Sequence, residues 1–108
     1  MESTIKDLFG VIEQRKDEKI EGSYTCYLFE KGIDKILKKC GEECTEMVIA
    51  AKNKVEEDIV NETCDLIYHI LVMLVELGVS IEDIDAELIK RTQKQLNLKK
   101  PHVTNKDS

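Results

Sequence analysis

The chain predicts an all-α protein of four to five helices, on three observations. Proline occurs once and glycine five times in 108 residues, so few points interrupt a helix. The composition, 42% hydrophobic and 35% charged, is that of a packed water-soluble domain rather than a disordered chain. Apolar residues also recur at helical spacing through most of the length. A single domain is expected over residues 1–98, followed over 99–108 by a frayed tail where apolar content falls and the proline sits. A chain this short leaves much surface uncovered unless it pairs with another copy, so a homodimer is expected.

The first helix is expected over residues 3–21, where Ile5, Leu8, Phe9, Ile12 and Ile20 are separated by charges and Ser3 or Thr4 serves as cap. The stretch EGSYT breaks it, and Ser23 or Thr25 caps a short second helix that stops at Gly32. From Ile33 to Asn53, the residues Ile33, Ile36, Leu37, Cys40, Cys44, Met47, Val48 and Ala51 follow i, i+3, i+4 spacing and form one apolar stripe. Gly41 within it costs helix propensity, which predicts the close approach of a neighbouring backbone or a ligand there. A turn around NKVEED leads to a strongly apolar helix from about residue 58 to Leu77, ended by Gly78. Ser80 then caps a last helix with Glu82 and Asp83 in its first turn.

Several function classes are disfavoured, though a local basic patch stays open. A net charge of −6 argues against broad binding to a nucleic-acid backbone. The longest apolar run, Leu66 to Val79, is interrupted by His69 and Glu76 and falls short of the roughly 18–20 residues of a membrane span. The N-terminal MESTIKDLFG has no basic start and apolar run of a secretory signal, so a cytoplasmic location is expected. Cys26, Cys40, Cys44 and Cys64 form no C-x-x-C pair, which predicts reduced, buried core residues rather than zinc ligands.

The chemistry concentrates in ETCDLIYHILVMLVEL, residues 62–77. Ten of the twelve residues from Leu66 to Leu77 are apolar or aromatic, yet Glu62 and Asp65 stand three residues apart at the head of this helix. An unpaired carboxylate buried on such a helix costs several kcal/mol, so these acids need a partner. One helix earlier, in KKCGEECTEM, Glu43 and Glu46 share the same i, i+3 spacing, with Lys39 on the same flank of the apolar stripe. Antiparallel packing of the two helices directs both acid pairs into one gap. Like charges so placed repel, and a divalent cation relieves them; all-oxygen ligands favour Mg²⁺ or Mn²⁺ over zinc. Because Mg²⁺ keeps waters and recruits phosphate oxygens, the gap suits a nucleotide di- or triphosphate. Glu42 reads as a solvated residue. His69, on the polar line of Glu62 and Asp65, reads as a residue that orients a ligand by a hydrogen bond rather than one that binds metal. Tyr24 and Tyr68 read more simply as core residues than as a stacking surface for a base.

These motifs have a resemblance. The stretches SYTCYLFEKGIDKILKKCGEECTEMVIAAKN, residues 23–53, and ETCDLIYHILVMLVELGVSIEDIDAEL, residues 62–88, closely resemble the phosphoribosyl-ATP pyrophosphatase family, and the preceding VIEQRK fits as well. The family is similar to the MazG-like all-α nucleoside triphosphate pyrophosphohydrolases, which share E-x-x-E followed by E-x-x-D. The resemblance implies a helical bundle completed by dimerisation, with Glu43, Glu46, Glu62 and Asp65 as Mg²⁺ ligands. It implies Mg-dependent hydrolysis of phosphoribosyl-ATP to phosphoribosyl-AMP and pyrophosphate, the second step of histidine biosynthesis, with Glu43 or Glu46 accepting the proton of the attacking water. On that reading Lys38, Lys39 and Lys52 are candidates for phosphate contacts, and Ser23, Tyr24 and Thr25 form a loop that closes on substrate. Cys40, Cys44 and Cys64 depart from the small or apolar residues usual there. Two other readings share the pattern: a house-cleaning pyrophosphohydrolase of nucleoside triphosphates, and a helical dimer whose acids are purely structural.

Overall fold

The computed structural model describes residues 2–97, so the tail expected over 99–108 lies outside the described residues. Five helices follow one another: α1 (Glu2–Asp17), α2 (Tyr24–Lys31), α3 (Ile33–Asn53), α4 (Glu56–Leu77) and α5 (Ile81–Leu96). No strand occurs among the described residues, as the all-α expectation requires.

The centre of the fold is the hairpin of α3 and α4. Lys54 takes the left-handed conformation at φ 61°, and its N–H bonds the carbonyls of Ala50 and Ala51 at 3.0 and 3.2 Å, which closes α3. After one extended residue, Val55, α4 begins with Glu56, Glu57 and Asp58 in its first turn, where acids favour the helix dipole. So short a link leaves the helices antiparallel. Cys40 accordingly meets His69 across the pair, its Sγ 3.3 Å from the His69 carbonyl, while Glu43 faces Glu62 and Asp65.

Helix α2 lies against α1, α3 and α4. Ser23 caps it: its hydroxyl accepts from the Cys26 N–H at 3.1 Å. At the other end Gly32 joins two helices without a loop, ending α2 through its N–H on the Leu28 carbonyl and opening α3 by accepting from the Ile36 N–H. Its φ of 93° is a conformation in which a side chain would be strained. Ile12, Leu28, Ile36 and Val72, one each from α1 to α4, are fully enclosed, and Phe9, Leu71, Leu74 and Ile81 complete the core. Each such side chain contributes about 1.5–3 kcal/mol by leaving water.

Three expectations are corrected. Helix α1 ends at Asp17 rather than residue 21, because the chain turns back to seat α2. The thiol of Cys26 reaches the carbonyls of Arg15 and Glu18 at 3.4 and 3.7 Å, and Ile20 is left outside the helix. Cys44 and Cys64 are exposed, not buried, and all four cysteines are free thiols. The reason is that the apolar surface of α3 is wider than one chain covers. Ile36 and Ala50 turn inward, whereas Leu37, Cys44, Val48 and Ala51 form a second stripe that faces out. Gly41 belongs to that outer stripe, and among the described residues nothing beyond its own helix lies within 4 Å of where its Cβ would stand.

Helix α4 closes through Gly78, at φ 74°: the Val79 N–H bonds the Leu74 carbonyl at 2.9 Å and the Gly78 N–H bonds the Val75 carbonyl at 3.2 Å. Ser80 then caps α5 by accepting from the Asp83 N–H, and α5 departs at 119° to α4. Only Ile81 of α5 is buried. Among the described residues no single helix is long and apolar enough to cross a membrane.

Candidate metal centre and active site

The hairpin brings Glu43 of α3 and Glu62 and Asp65 of α4 together, one carboxylate oxygen of each lying within 4.8 Å of the others. The i, i+3 spacing of Glu62 and Asp65 sets both on one side of α4, and antiparallel packing brings Glu43 opposite them. Glu43 is buried, Glu62 half-buried and Asp65 exposed, so the group forms a gap that opens to water on the Asp65 side. Glu46, one turn along α3, is exposed and stands outside this set of three within a single chain.

Hydrogen bonding in the gap is incomplete. Oε1 of Glu43 lies 3.4 Å from the ammonium of Lys39, which is also 3.7 Å from Glu42. Oε2 of Glu43 and Oε2 of Glu62 are enclosed with no hydrogen-bond partner. A buried ionised oxygen left so is costly, and both belong to the acids that converge. This donor set fits a hard divalent cation: all oxygen, carboxylate-rich and half open to water, with the three oxygens within 4.8 Å of one another.

Around the gap, α2 is fastened to α4 by two side-chain hydrogen bonds. The Tyr24 hydroxyl lies 3.0 Å from Nε2 of His69, and the Thr25 hydroxyl bonds the Tyr68 hydroxyl. His69 is buried, and its Nδ1 lies 2.7 Å from the Asp65 carbonyl. A carbonyl only accepts, so Nδ1 carries a proton, and in the neutral ring Nε2 then accepts from Tyr24. Both ring nitrogens are thereby engaged in hydrogen bonds within the protein. Tyr68 packs against the core, but Tyr24 is 45% exposed and lies against His69 at the rim of the gap, so the reading of Tyr24 as a core residue is corrected.

The electrostatics tie these groups together. Burial pushes the Tyr24 phenol above its ordinary range; the Lys39 ammonium opposes that and the Glu43 carboxylate reinforces it. Partial burial pulls Lys39 downward, but Tyr24, Glu43 and Glu42 outweigh it and leave the lysine above its usual value. Lys39 is thus the resident counter-charge of Glu43. Lys38 and Lys52 are exposed, and Lys52, nine residues beyond Glu43, lies about 180° around the helix from it, so one chain does not bring Lys52 to the acids.

A second concavity adjoins the gap. A groove of about 1180 Å³ runs between the end of α1 and α2, with Arg15, Lys16, Lys19, Ser23, Tyr24 and Tyr27 in its wall. Tyr24 therefore borders both spaces. Spacing along the sequence gave no sign of this groove, because Arg15 and Lys19 reach it only through the turn after Asp17. The Tyr24–His69 and Thr25–Tyr68 bonds link residues 45 and 43 positions apart and were equally invisible.

Comparison with known proteins identifies the family. Residues 5–92 match the family described as phosphoribosyl-ATP pyrophosphohydrolase. A protein of Clostridium acetobutylicum named phosphoribosyl-ATP pyrophosphatase is 59% identical over 95 residues, covering 88% of this chain and 86% of its own. Proteins of the same name from Clostridium botulinum and Lactiplantibacillus plantarum are 55% and 51% identical, each over 102 residues and 94% of this chain, with 93% and 96% of their own lengths covered. With residues 5–92 matched and relatives 51–59% identical over most of the chain, the chain belongs to the phosphoribosyl-ATP pyrophosphohydrolase family.

Proposed function

We propose that this protein hydrolyses phosphoribosyl-ATP to phosphoribosyl-AMP and pyrophosphate in histidine biosynthesis, in the cytoplasm, using Mg²⁺ or Mn²⁺ held by Glu43, Glu62 and Asp65. The observation that carries the reading is the pair of enclosed oxygens, Oε2 of Glu43 and Oε2 of Glu62, that no protein donor satisfies. When bound, the cation supplies charge neutralisation at the polyphosphate and an acidified water.

The chain's own residues do the rest. Lys39 stands at the mouth of the gap, where its ammonium can exchange the Glu43 oxygen for a phosphate oxygen. Tyr24 and Thr25, bonded to His69 and Tyr68, hold the start of α2 against the gap so that the loop from Ser23 borders the substrate. Glu46 lies outside the trio and is free to accept a proton from the attacking water at its exposed carboxylate. Lys38 and Lys52, exposed on α3, are further phosphate contacts in this reading.

The active form is a homodimer. Leu37, Gly41, Cys44, Val48 and Ala51 are exposed and follow 4- and 3-residue steps along α3, the spacing of a helix–helix seam. Gly41 and Cys44 are small and admit a second helix closely, and Val60 and Cys64 extend the uncovered surface onto α4. A second copy of the same hairpin is self-complementary to such a stripe.

A pyrophosphate-release assay tests the activity. Wild-type protein with Mg²⁺ should release pyrophosphate from phosphoribosyl-ATP, chelation should abolish release, and Asp65→Asn should lose most of it. Faster turnover of deoxynucleoside triphosphates than of phosphoribosyl-ATP would overturn the substrate assignment.

A further inference from the structure

We infer that the groove between the end of α1 and α2 is the seat of the substrate's second phosphate, the monoester on the ribosyl group, with Arg15 and Lys19 as its counter-charges; this rests on the activity proposed above. Such a substrate carries phosphate at both ends, a triphosphate on one side of the purine nucleoside and a phosphorylated sugar on the other. The acid gap accounts for the triphosphate. The second phosphate, a dianion a nucleoside's length away, needs positive charge of its own.

The groove meets that need. It shares Tyr24 with the gap, so a ligand spanning both passes across one aromatic side chain. At about 1180 Å³ it has room for a phosphorylated sugar, since sites for small ligands commonly enclose about 300–1,000 Å³. Its cations differ in their commitments. Lys16 is spent, with its ammonium 2.9 Å from Glu76 and 5.5 Å from the Phe29 ring centre. Arg15 and Lys19 have no ion-pair partner among the described residues. Of the acids in the wall, Glu76 is neutralised by Lys16, and Glu21 and Glu30 are exposed to water, which screens them.

The thiol of Cys26 senses the local field. It lies below the ordinary thiol range, first through the Ser23 hydroxyl and the Ile20 amide, with Arg15 and Lys19 adding positive potential. Arg15 and Lys19 are the smaller contributions to that shift, and their part in it places both cations near the first turn of α2. Tyr27, stacked on Tyr24 with ring centres 6.0 Å apart, extends the aromatic wall alongside.

The test uses the full-length protein with Arg15→Gln, Lys19→Gln and the double variant, and ribose 5-phosphate as a probe. Expected is a KM for phosphoribosyl-ATP raised about 10- to 100-fold in the double variant with kcat nearly kept, partial recovery in Arg15→Lys, and no change in melting temperature. Ribose 5-phosphate should inhibit the wild type competitively and the double variant far more weakly. An unchanged KM in the double variant overturns the assignment, as does inhibition of equal strength in both. Were the wild type to leave phosphoribosyl-ATP intact, the proposed activity would fall, and calorimetric binding of ribose 5-phosphate would judge the groove alone. Binding lost in the double variant supports the site, and no binding to the wild type overturns it.

Discussion

The hydroxyl of Tyr24 lies 3.0 Å from Nε2 of His69, and in the neutral imidazole, whose one ring proton goes to the Asp65 carbonyl, Tyr24 is the donor. This bond pins the start of α2 beside a metal-ligand candidate. Tyr24→Phe keeps the ring and deletes only the donor, leaving a buried imidazole nitrogen unsatisfied. Stability should fall by about 1–2 kcal/mol in urea unfolding, and kcat/KM should fall by more than that loss explains. Equal kinetics in the variant and the wild type would show that the bond is only structural.

Cation binding should be readable without turnover. A ligand at 100 times its dissociation constant stabilises the folded state by about 2.7 kcal/mol, so Mg²⁺ should raise the melting temperature of the wild type by several degrees. Glu62→Gln and Asp65→Asn should lose most of that rise. In chelator the order should reverse, with Glu62→Gln at least as stable as the wild type because one of three converging negative charges has gone. A Mg²⁺ shift unchanged in both variants would remove the metal site from these residues.

The two half-buried thiols should react in a set order. Cys26 is held below the ordinary thiol range by the Ser23 hydroxyl and its neighbours, whereas burial pushes Cys40 up. At a given pH the lower value leaves more thiolate, and thiolate is the nucleophile. Iodoacetamide labelling followed by mass spectrometry should therefore find Cys26 modified well before Cys40, with the midpoint of its rate against pH lying below that of Cys40. Simultaneous labelling would contradict the field inferred at the groove.

The outer stripe of α3 should govern association. Leu37 and Val48 are 45% and 56% exposed in the single chain. Sedimentation velocity should find the wild type as a dimer and Leu37→Lys/Val48→Lys as a monomer with weakened activity. A wild-type monomer at micromolar concentration would refute the pairing.

Leu28 is fully enclosed where α2 meets the core. Leu28→Ala should cost about 2–5 kcal/mol, measured as a fall in urea midpoint at fixed protein concentration. A loss below 1 kcal/mol would mean that α2 is not part of the folding unit.

How far the sequence reached differs from residue to residue. Ser80 and Gly78 were legible as caps because capping is a local matter of one hydroxyl or one positive φ, and of the two candidates Ser23 and Thr25 the structure uses Ser23. The i, i+3 pairing of Glu62 with Asp65 was legible too, since helical geometry alone sets two such side chains on one side. Cys44 and Cys64 were misread because hydrophobic periodicity reports that a stripe wants cover without saying which chain provides it.

By itself, then, the sequence determined the helices, the capped ends of α2, α4 and α5, and the acids that share a helical face, all consequences of interactions within about four residues. Only tertiary structure decided that Glu43 meets Glu62 and Asp65 while Glu46 stays outside, that Lys39 pairs with Glu43, and that Arg15 and Lys19 border a groove behind Tyr24. Those outcomes depend on how one helix is rotated against the next and on where the chain turns after Asp17. Both are fixed by packing the whole core and by no local rule.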